Sequence, residues 1–347
     1  MKKLAALALA LAVVLSGCAA MLEREYLVTD EHEENPQAGA ESFYRVETYS
    51  GLLPALVSYV EEGMERGVLR FPTTYAGNLT VDMEKGKRQL LDENPVGSYA
   101  LSDFTYHISR IISYYEVTVT FSYRVAPETV ASLRRVRGQE EVAALLQGTL
   151  NRALSGFTAR ISLAGLSEES LRAELERAYL ALPQIALGRP EAALTFFPQP
   201  GNPAVVEAKL TYPGSVFTRR RTAERLTARA AELIQGVPAD PTALLALLHQ
   251  TAQVDESGGA TAAHALLESA PYGELRANQE GFALAYKLLC DTAGVPCTLS
   301  WDGGRYLAAV TWPETGETTE FDPADPAGLP APAAMEAAEA AVGPENG

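Results

Sequence analysis

The sequence predicts an α+β protein: two tandem small α+β modules followed by a third α+β domain. Three observations predict it. Apolar residues switch between helical spacing and every-second-residue spacing along the chain. That succession recurs at an offset of 88–89 residues in the middle of the sequence. The last third carries a long apolar helix that leads into short strand-like runs. Composition agrees, since 47% hydrophobic residues is too many for a disordered chain. With 44 acidic and 28 basic residues the formal charge is -16, which excludes the basic footprint of a nucleic-acid binder.

Residues 1–17 read as a signal peptide. Lys2 and Lys3 form a positive start, and Leu4 to Leu15 is an apolar run too short to span a bilayer as a helix. Leu15-Ser16-Gly17-Cys18 then resembles the lipobox of bacterial lipoproteins. The resemblance implies cleavage before Cys18, a lipid on its thiol, and a body held at the extracytoplasmic face of the cell membrane. Removing residues 1–17 takes away two lysines, so the charge moves from -16 to -18. Residues 18–42 read as an acidic tether, broken by Asn35-Pro36 and Gly39. No other segment is long and apolar enough to cross a membrane.

Residues 43–130 and 131–215 read as two copies of one module. Ala55-Leu56-Val57 matches Ala144-Leu145-Leu146, and Phe121-Ser122-Tyr123 matches Leu210-Thr211-Tyr212, both at an offset of 89. Tyr75-Ala76-Gly77 matches Leu163-Ala164-Gly165, and Pro95 matches Pro183, at 88. The period is too long for a common solenoid, so a duplicated domain is expected. Each copy reads helix, strand, helix, strand, strand. In copy one, Leu56, Tyr59, Val60 and Met64 mark the first helix. Val68 to Phe71 follows as a strand, and Val81, Met83, Leu90 and Leu91 mark a second helix ended near Asn94-Pro95. Phe104–Ile108 and Tyr115–Val125 alternate as a hairpin does. In copy two the same order runs through Leu145–Leu154, Ala159–Leu163, Glu168–Leu180, Ala193–Phe197 and Val205–Tyr212.

These modules hold no catalytic constellation. His107 has no second His or Cys nearby and reads as structural. Tyr114-Tyr115 reads as aromatics packed across a hairpin, with a binding surface as the alternative. Arg134, Arg135 and Arg137 form one basic cluster, and Arg219, Arg220 and Arg221 another. Solvated helix ends are favoured for both over an anion site.

Residues 216–327 form the third domain. Thr222–Gln235 is amphipathic and stops at Gly236. Asp240-Pro241 starts the next helix as cap and first residue. Asn278 to Cys297 then reads NQEGFALAYKLLCDTAGVPC. Glu280-Gly281-Phe282-Ala283, Ala293-Gly294-Val295-Pro296 and Phe321-Asp322-Pro323 resemble the transglutaminase-like, papain-related family. That family pattern is a nucleophilic cysteine followed by E-G-Y-A, a helix, A-G-I-P, a strand histidine and an aspartate in a V-D-P turn. Matching position by position, the resemblance puts Gln279 in the cysteine's place and Arg305 in the histidine's, and keeps Asp322. Gln279 is no nucleophile, and Arg305 stays protonated and is no base. An Arg305–Asp322 pair is expected to replace the lost base–orienter contact. Cys290, three turns along the helix, reads as a buried core thiol. Separate thiols are favoured over a Cys290–Cys297 disulfide, because a helix-to-strand turn rarely aligns both Cβ vectors.

The sequence therefore leads to a lipid-anchored extracytoplasmic protein with a catalytically inactive transglutaminase-like domain. It needs no cofactor and no metal, and it binds a peptide or an envelope protein. Two alternatives stand beside it: an enzyme with a relocated set such as Cys290 with His264, and a spacer subunit of an envelope assembly. Residues 328–347, rich in Ala, Pro and Glu, read as a disordered tail.

Overall fold

Helical spacing of Leu52, Ala55, Leu56, Tyr59 and Val60 builds a helix buried on one face, Tyr49–Glu61 (α1). In the computed structural model it lies between β1 (Phe43–Arg45) and β2 (Arg66–Pro72). The structure describes residues 43–199, 201–268 and 274–329. The signal peptide, the tether with Cys18, and the tail from residue 330 on lie outside the described residues.

After β2 come α2 (Leu79–Arg88), α3 (Pro95–Ala100), β3 (Leu101–Arg110) and β4 (Tyr114–Tyr123). The four strands form one sheet in the order β1-β2-β4-β3. Alternation aims Val117, Val119 and Phe121 of β4 at the core, as their spacing predicts. The expected second helix runs unbroken from Leu79 to Glu93, its last turn widened, and ends at Asn94-Pro95 as expected. Val81, placed on its apolar stripe, is 58% exposed, while Met83 is fully buried. A wider turn, Gln89–Glu93, follows α2 and buries Leu90. Asn94 then starts α3, its side chain accepting from Val96 and Gly97 N–H at 3.0 Å each.

The second stretch is α4 (Pro127–Ala131), β5 (Arg134–Arg137), α5 (Gly138–Asn151), β6 (Gly156–Ser162), α6 (Glu168–Leu180), β7 (Glu191–Phe197) and β8 (Ala204–Thr211). Its sheet order is β5-β6-β8-β7, the order of the first sheet repeated. β5 runs parallel to β6, and β8 runs antiparallel to β6 and β7. Each copy thus opens on a strand that the helix-first reading lacks. Arg134, Arg135 and Arg137 lie on β5, with Val136 turned inward between them, and Arg137 is also the N-cap of the helix that follows. Arg135 and Arg160 both reach Glu61 of α1, at 2.8 and 2.7 Å, and so tie the copies together. Tyr99 and Phe197 add an edge-to-face contact at 5.4 Å between them.

The remaining elements are α7 (Val216–Leu233), α8 (Pro241–Thr251), β9 (Gln253–Gly259), α9 (Ala262–Leu266), β10 (Arg276–Ala277), α10 (Gln279–Ala293), β11 (Cys297–Trp301), β12 (Tyr306–Thr311) and β13 (Thr318–Phe321). β11, β12 and β13 form an antiparallel sheet in that order. α10 is buried on every side from Gly281 to Cys290. One charge, Lys287, lies in that stretch. Its ammonium donates to Asp291 at 2.9 Å and to the Cys297 carbonyl at 3.0 Å, which satisfies it. Asn278 caps the start of α10, and Gly294 ends it at φ 76°. The fold is α+β. The first copy has its own core around Leu56, Phe71, Phe104 and Phe121. The second copy and the C-terminal elements share one continuous core, to which Leu226 and Ala230 of α7 belong.

Candidate functional site

The first turn of α10 is where the family resemblance expects a nucleophile. Gln279 begins the helix and is half-buried. Glu280 follows, a carboxylate at the positive end of the helix dipole, with 12% of its side chain exposed. Arg189, from the loop between α6 and β7, donates to Glu280 at 3.0 Å. Its other nitrogens donate to Glu176 of α6 and to the Tyr306 hydroxyl of β12. The Tyr179 and Tyr306 rings sit 5.4 and 5.7 Å from the same guanidinium. One arginine therefore closes over the helix start with two carboxylates and two aromatic faces.

The electrostatics are those of a fixed clamp. Burial opposes the charge on Arg189, yet the Glu280 carboxylate holds its pKa above the ordinary value. Burial raises the pKa of Glu176, and Glu280 adds to that, with Arg189 offsetting part of the rise. Burial, then the Glu280 charge, pushes the Tyr306 phenol up to about 12. Tyr179 is raised as well, chiefly by burial. Both phenols stay protonated at neutral pH, and the guanidinium stays charged.

The expected Arg305–Asp322 pair is not formed. Strand pairing ends at Trp301 opposite Tyr306, so Arg305 lies in the connecting turn. There Asp302 accepts from the Gly304 and Arg305 N–H groups at 2.9 and 2.7 Å. The Arg305 side chain, 60% exposed, finds the same Asp302 at 3.6 Å. Asp322 instead accepts from the Ala324 N–H at 2.9 Å, closing its own turn. The side chain that β12 brings to the start of α10 is Tyr306, one position further on. Tyr306, Ala308 and Val310 share the strand face of lower exposure.

Cys290 and Cys297 are buried free thiols. Burial pushes the Cys290 thiol well above its ordinary pKa, the opposite of activation. His264 lies at the other end of α10. Its ring presses on Gly259, where an added Cβ would meet it at 2.1 Å, and the Gly259 carbonyl faces Gly281. Nine residues of helix, about 13 Å, separate Gly281 from Cys290. The relocated pair is therefore not assembled. His264 Nδ1 bonds the Thr261 hydroxyl at 2.7 Å, and burial lowers its pKa. His249 Nε2 lies 3.0 Å from the Pro323 carbonyl, and its ring packs 5.1 Å from Phe282. His107 is exposed on β3. Among the described residues no three metal-ligating side chains converge.

A second feature lies on the other side of Arg219. A groove of about 580 Å³ runs between the C-terminal end of α5 and the outer face of α7. Leu150, Ala153, Ile185, Val216 and Ala223 line it, with Arg152, Arg220 and Glu224 along its edges. Val216 is 48% and the adjoining Phe217 75% exposed. Of the second arginine cluster, Arg219 is buried. It donates to the Ile185 carbonyl at 3.0 Å and lies 4.8 Å over the Tyr212 ring, which fixes the groove floor. Arg189, Glu176, Tyr179 and Tyr306 carry no sequence motif, and Arg189 meets Glu280 across 91 positions of chain. The groove does have a sequence trace, since Val216-Phe217 is an apolar pair at the exposed start of a helix. Comparison of the chain with protein-family models finds no match, and comparison with curated proteins finds none either.

Proposed function

We propose that this chain is a lipid-anchored, extracytoplasmic binding protein that holds a peptide or protein segment and performs no catalysis on it. The observation that carries the reading is the groove between α5 and α7. It has the volume of a ligand site, an apolar floor and a few polar groups at its lips. The start of α10 supports the non-catalytic half. There Arg189 joins Glu280 and Tyr306, each one position after the place where the resembled family keeps a thiolate or an imidazole. The ligand class rests on the family resemblance at α10, whose clefts take extended peptide, and not on the groove, which lies outside the resembling stretch.

A displayed library of short peptides tests it. The full chain is expected to enrich a defined set, and Ala223→Trp, which fills the groove, is expected to lower binding at least tenfold. Cys290→Ser is expected to leave binding unchanged, and bound peptides are recovered uncut by mass spectrometry. Labelling of Cys290 by a thiol-directed peptide probe, or binding that ignores Ala223→Trp, would overturn the proposal.

A further inference from the structure

The hairpin joining β3 to β4 turns through Ile111, Ile112 and Ser113. Ile112 is fully exposed at 100% and Ile111 is 39% exposed, while the Ile111 N–H closes the turn on the Tyr114 carbonyl at 2.8 Å. Turns usually hold Gly, Asn, Asp or Ser, each for a backbone reason. Two branched apolar residues serve no such purpose here. Neither belongs to the core of the first copy. An exposed apolar tip that does nothing for the fold marks an interaction site.

The residues behind the tip say what it meets. Tyr114 and Tyr115 follow directly and are half-buried. Arg70 lies 5.1 Å over the Tyr114 ring, and Arg110 lies 5.9 Å over the Tyr115 ring. Isoleucine at the point, tyrosine next and arginine behind is the depth order of a bilayer surface. Acyl chains take the apolar tip, the interface takes amphipathic rings, and phosphates take guanidinium groups. Two carboxylates near these residues are already engaged. Glu116 pairs with Arg70 at 3.1 Å and Glu47 with Arg45 at 3.2 Å. Arg110 has no carboxylate partner among the described residues. On a chain of formal charge -16, this end is one that an anionic leaflet repels little.

Chain length permits the contact. The Val46 N–H bonds the Arg70 carbonyl at 2.9 Å, and Pro72 pairs with Tyr114 two residues on. The start of β1 is thus within roughly 25 Å of the tip at strand rise. The 24 residues between Cys18 and Phe43 span at most about 80 Å. We infer that the Ile111-Ile112 tip inserts into the anionic phospholipid surface that holds the anchor, orienting the body on it. This rests on the reading of Cys18 as lipidated.

The test uses the full lipidated chain on phosphatidylglycerol–phosphatidylcholine vesicles. An environment-sensitive dye is attached at Ser113→Cys, with Cys290 and Cys297 protected by burial. A second preparation carries the dye at Ser102→Cys, at the far end of the same hairpin. A blue shift on vesicles is expected at 113 and not at 102, and it is expected to vanish when Ile111→Ser and Ile112→Ser are added. Both isoleucines are exposed, so circular dichroism is expected to stay unchanged. Overturning results are a dye at 113 that stays in water on bound protein, or a shift that survives the double substitution. A shift that rises with protein concentration without vesicles assigns the tip to a second copy and overturns the inference. The mass of the N-terminal peptide reads the lipid on Cys18 independently. Lipid present with no shift ends the tip alone, and lipid absent with no shift ends both readings.

Discussion

Arg189 touches two carboxylates and two phenol rings at once. Its removal leaves Glu280, 12% exposed, and Glu176, 27% exposed, without their counter-charge. Leaving a partly buried carboxylate unpaired costs about 1–3 kcal/mol. Arg189→Ala is therefore expected to lower the urea midpoint by that equivalent. Arg189→Lys, which keeps the charge but loses the planar fork, is expected to recover less than half. A midpoint within error of the parent would show the contact to be an ordinary surface pair. Gln279 and Arg305 stand out in the sequence because the family resemblance expects a Cys and a His there. The contacts of Arg189 do not stand out. A guanidinium in the α6–β7 loop is indistinguishable from a solvated one until the chain folds back on itself.

The two copies can be compared at the corner that follows the first long helix of each, and that corner differs. After α1 the chain turns at Gly63 with φ 71°, and after α5 it turns at Ala153 with φ 48°. The hydrogen bonds match. Gly63 N–H donates to Val60 and Met64 N–H to Tyr59, while Ala153 N–H donates to Leu150 and Leu154 N–H to Thr149. A left-handed alanine costs about 1–2 kcal/mol that a glycine does not. Ala153→Gly is expected to stabilise the protein by about 1 kcal/mol, less the glycine entropy of the unfolded chain. Gly63→Ala is expected to destabilise it by more, since its Cβ would meet Pro127 Cβ at 3.0 Å as well. Thermal midpoints of the two variants, moving in opposite directions, check this. Strain at Ala153 sits on the lip of the groove, where a methyl group adds apolar surface. At this scale the sequence is most readable where a local rule decides. Glu168–Leu180 is a helix at both expected ends, with Ser167 as its cap. Asp240-Pro241 starts α8 as expected. It is least readable where tertiary packing decides. The wide turn at Gln89–Glu93 buries Leu90 without any breaker, and β5 hides a four-residue strand among arginines.

At the scale of the molecule, the order β1-β2-β4-β3 recurs as β5-β6-β8-β7 over the stretch where the sequence shows the 88–89-residue offset. A repeat in sequence does not imply equal independence. The first copy closes its own core, which Val205 of β8 joins from beyond it. The second copy shares its core with α7, α8, α10 and the C-terminal sheet. Leu226 of α7 is fully buried in that shared core. Leu226→Ala is expected to cost about 2–5 kcal/mol through the lost contacts and the cavity left behind. Hydrogen exchange then distinguishes two molecules that look alike in a contact picture. If the shared core is one cooperative unit, amides of β6 and of β11 lose protection together, and amides of β2 and β4 keep theirs. If the second copy and the C-terminal elements were separate domains resting on each other, β11 would lose protection while β6 held. The continuous burial from Ile161 through Leu226 to Phe282 and Val310 makes the first outcome the expected one.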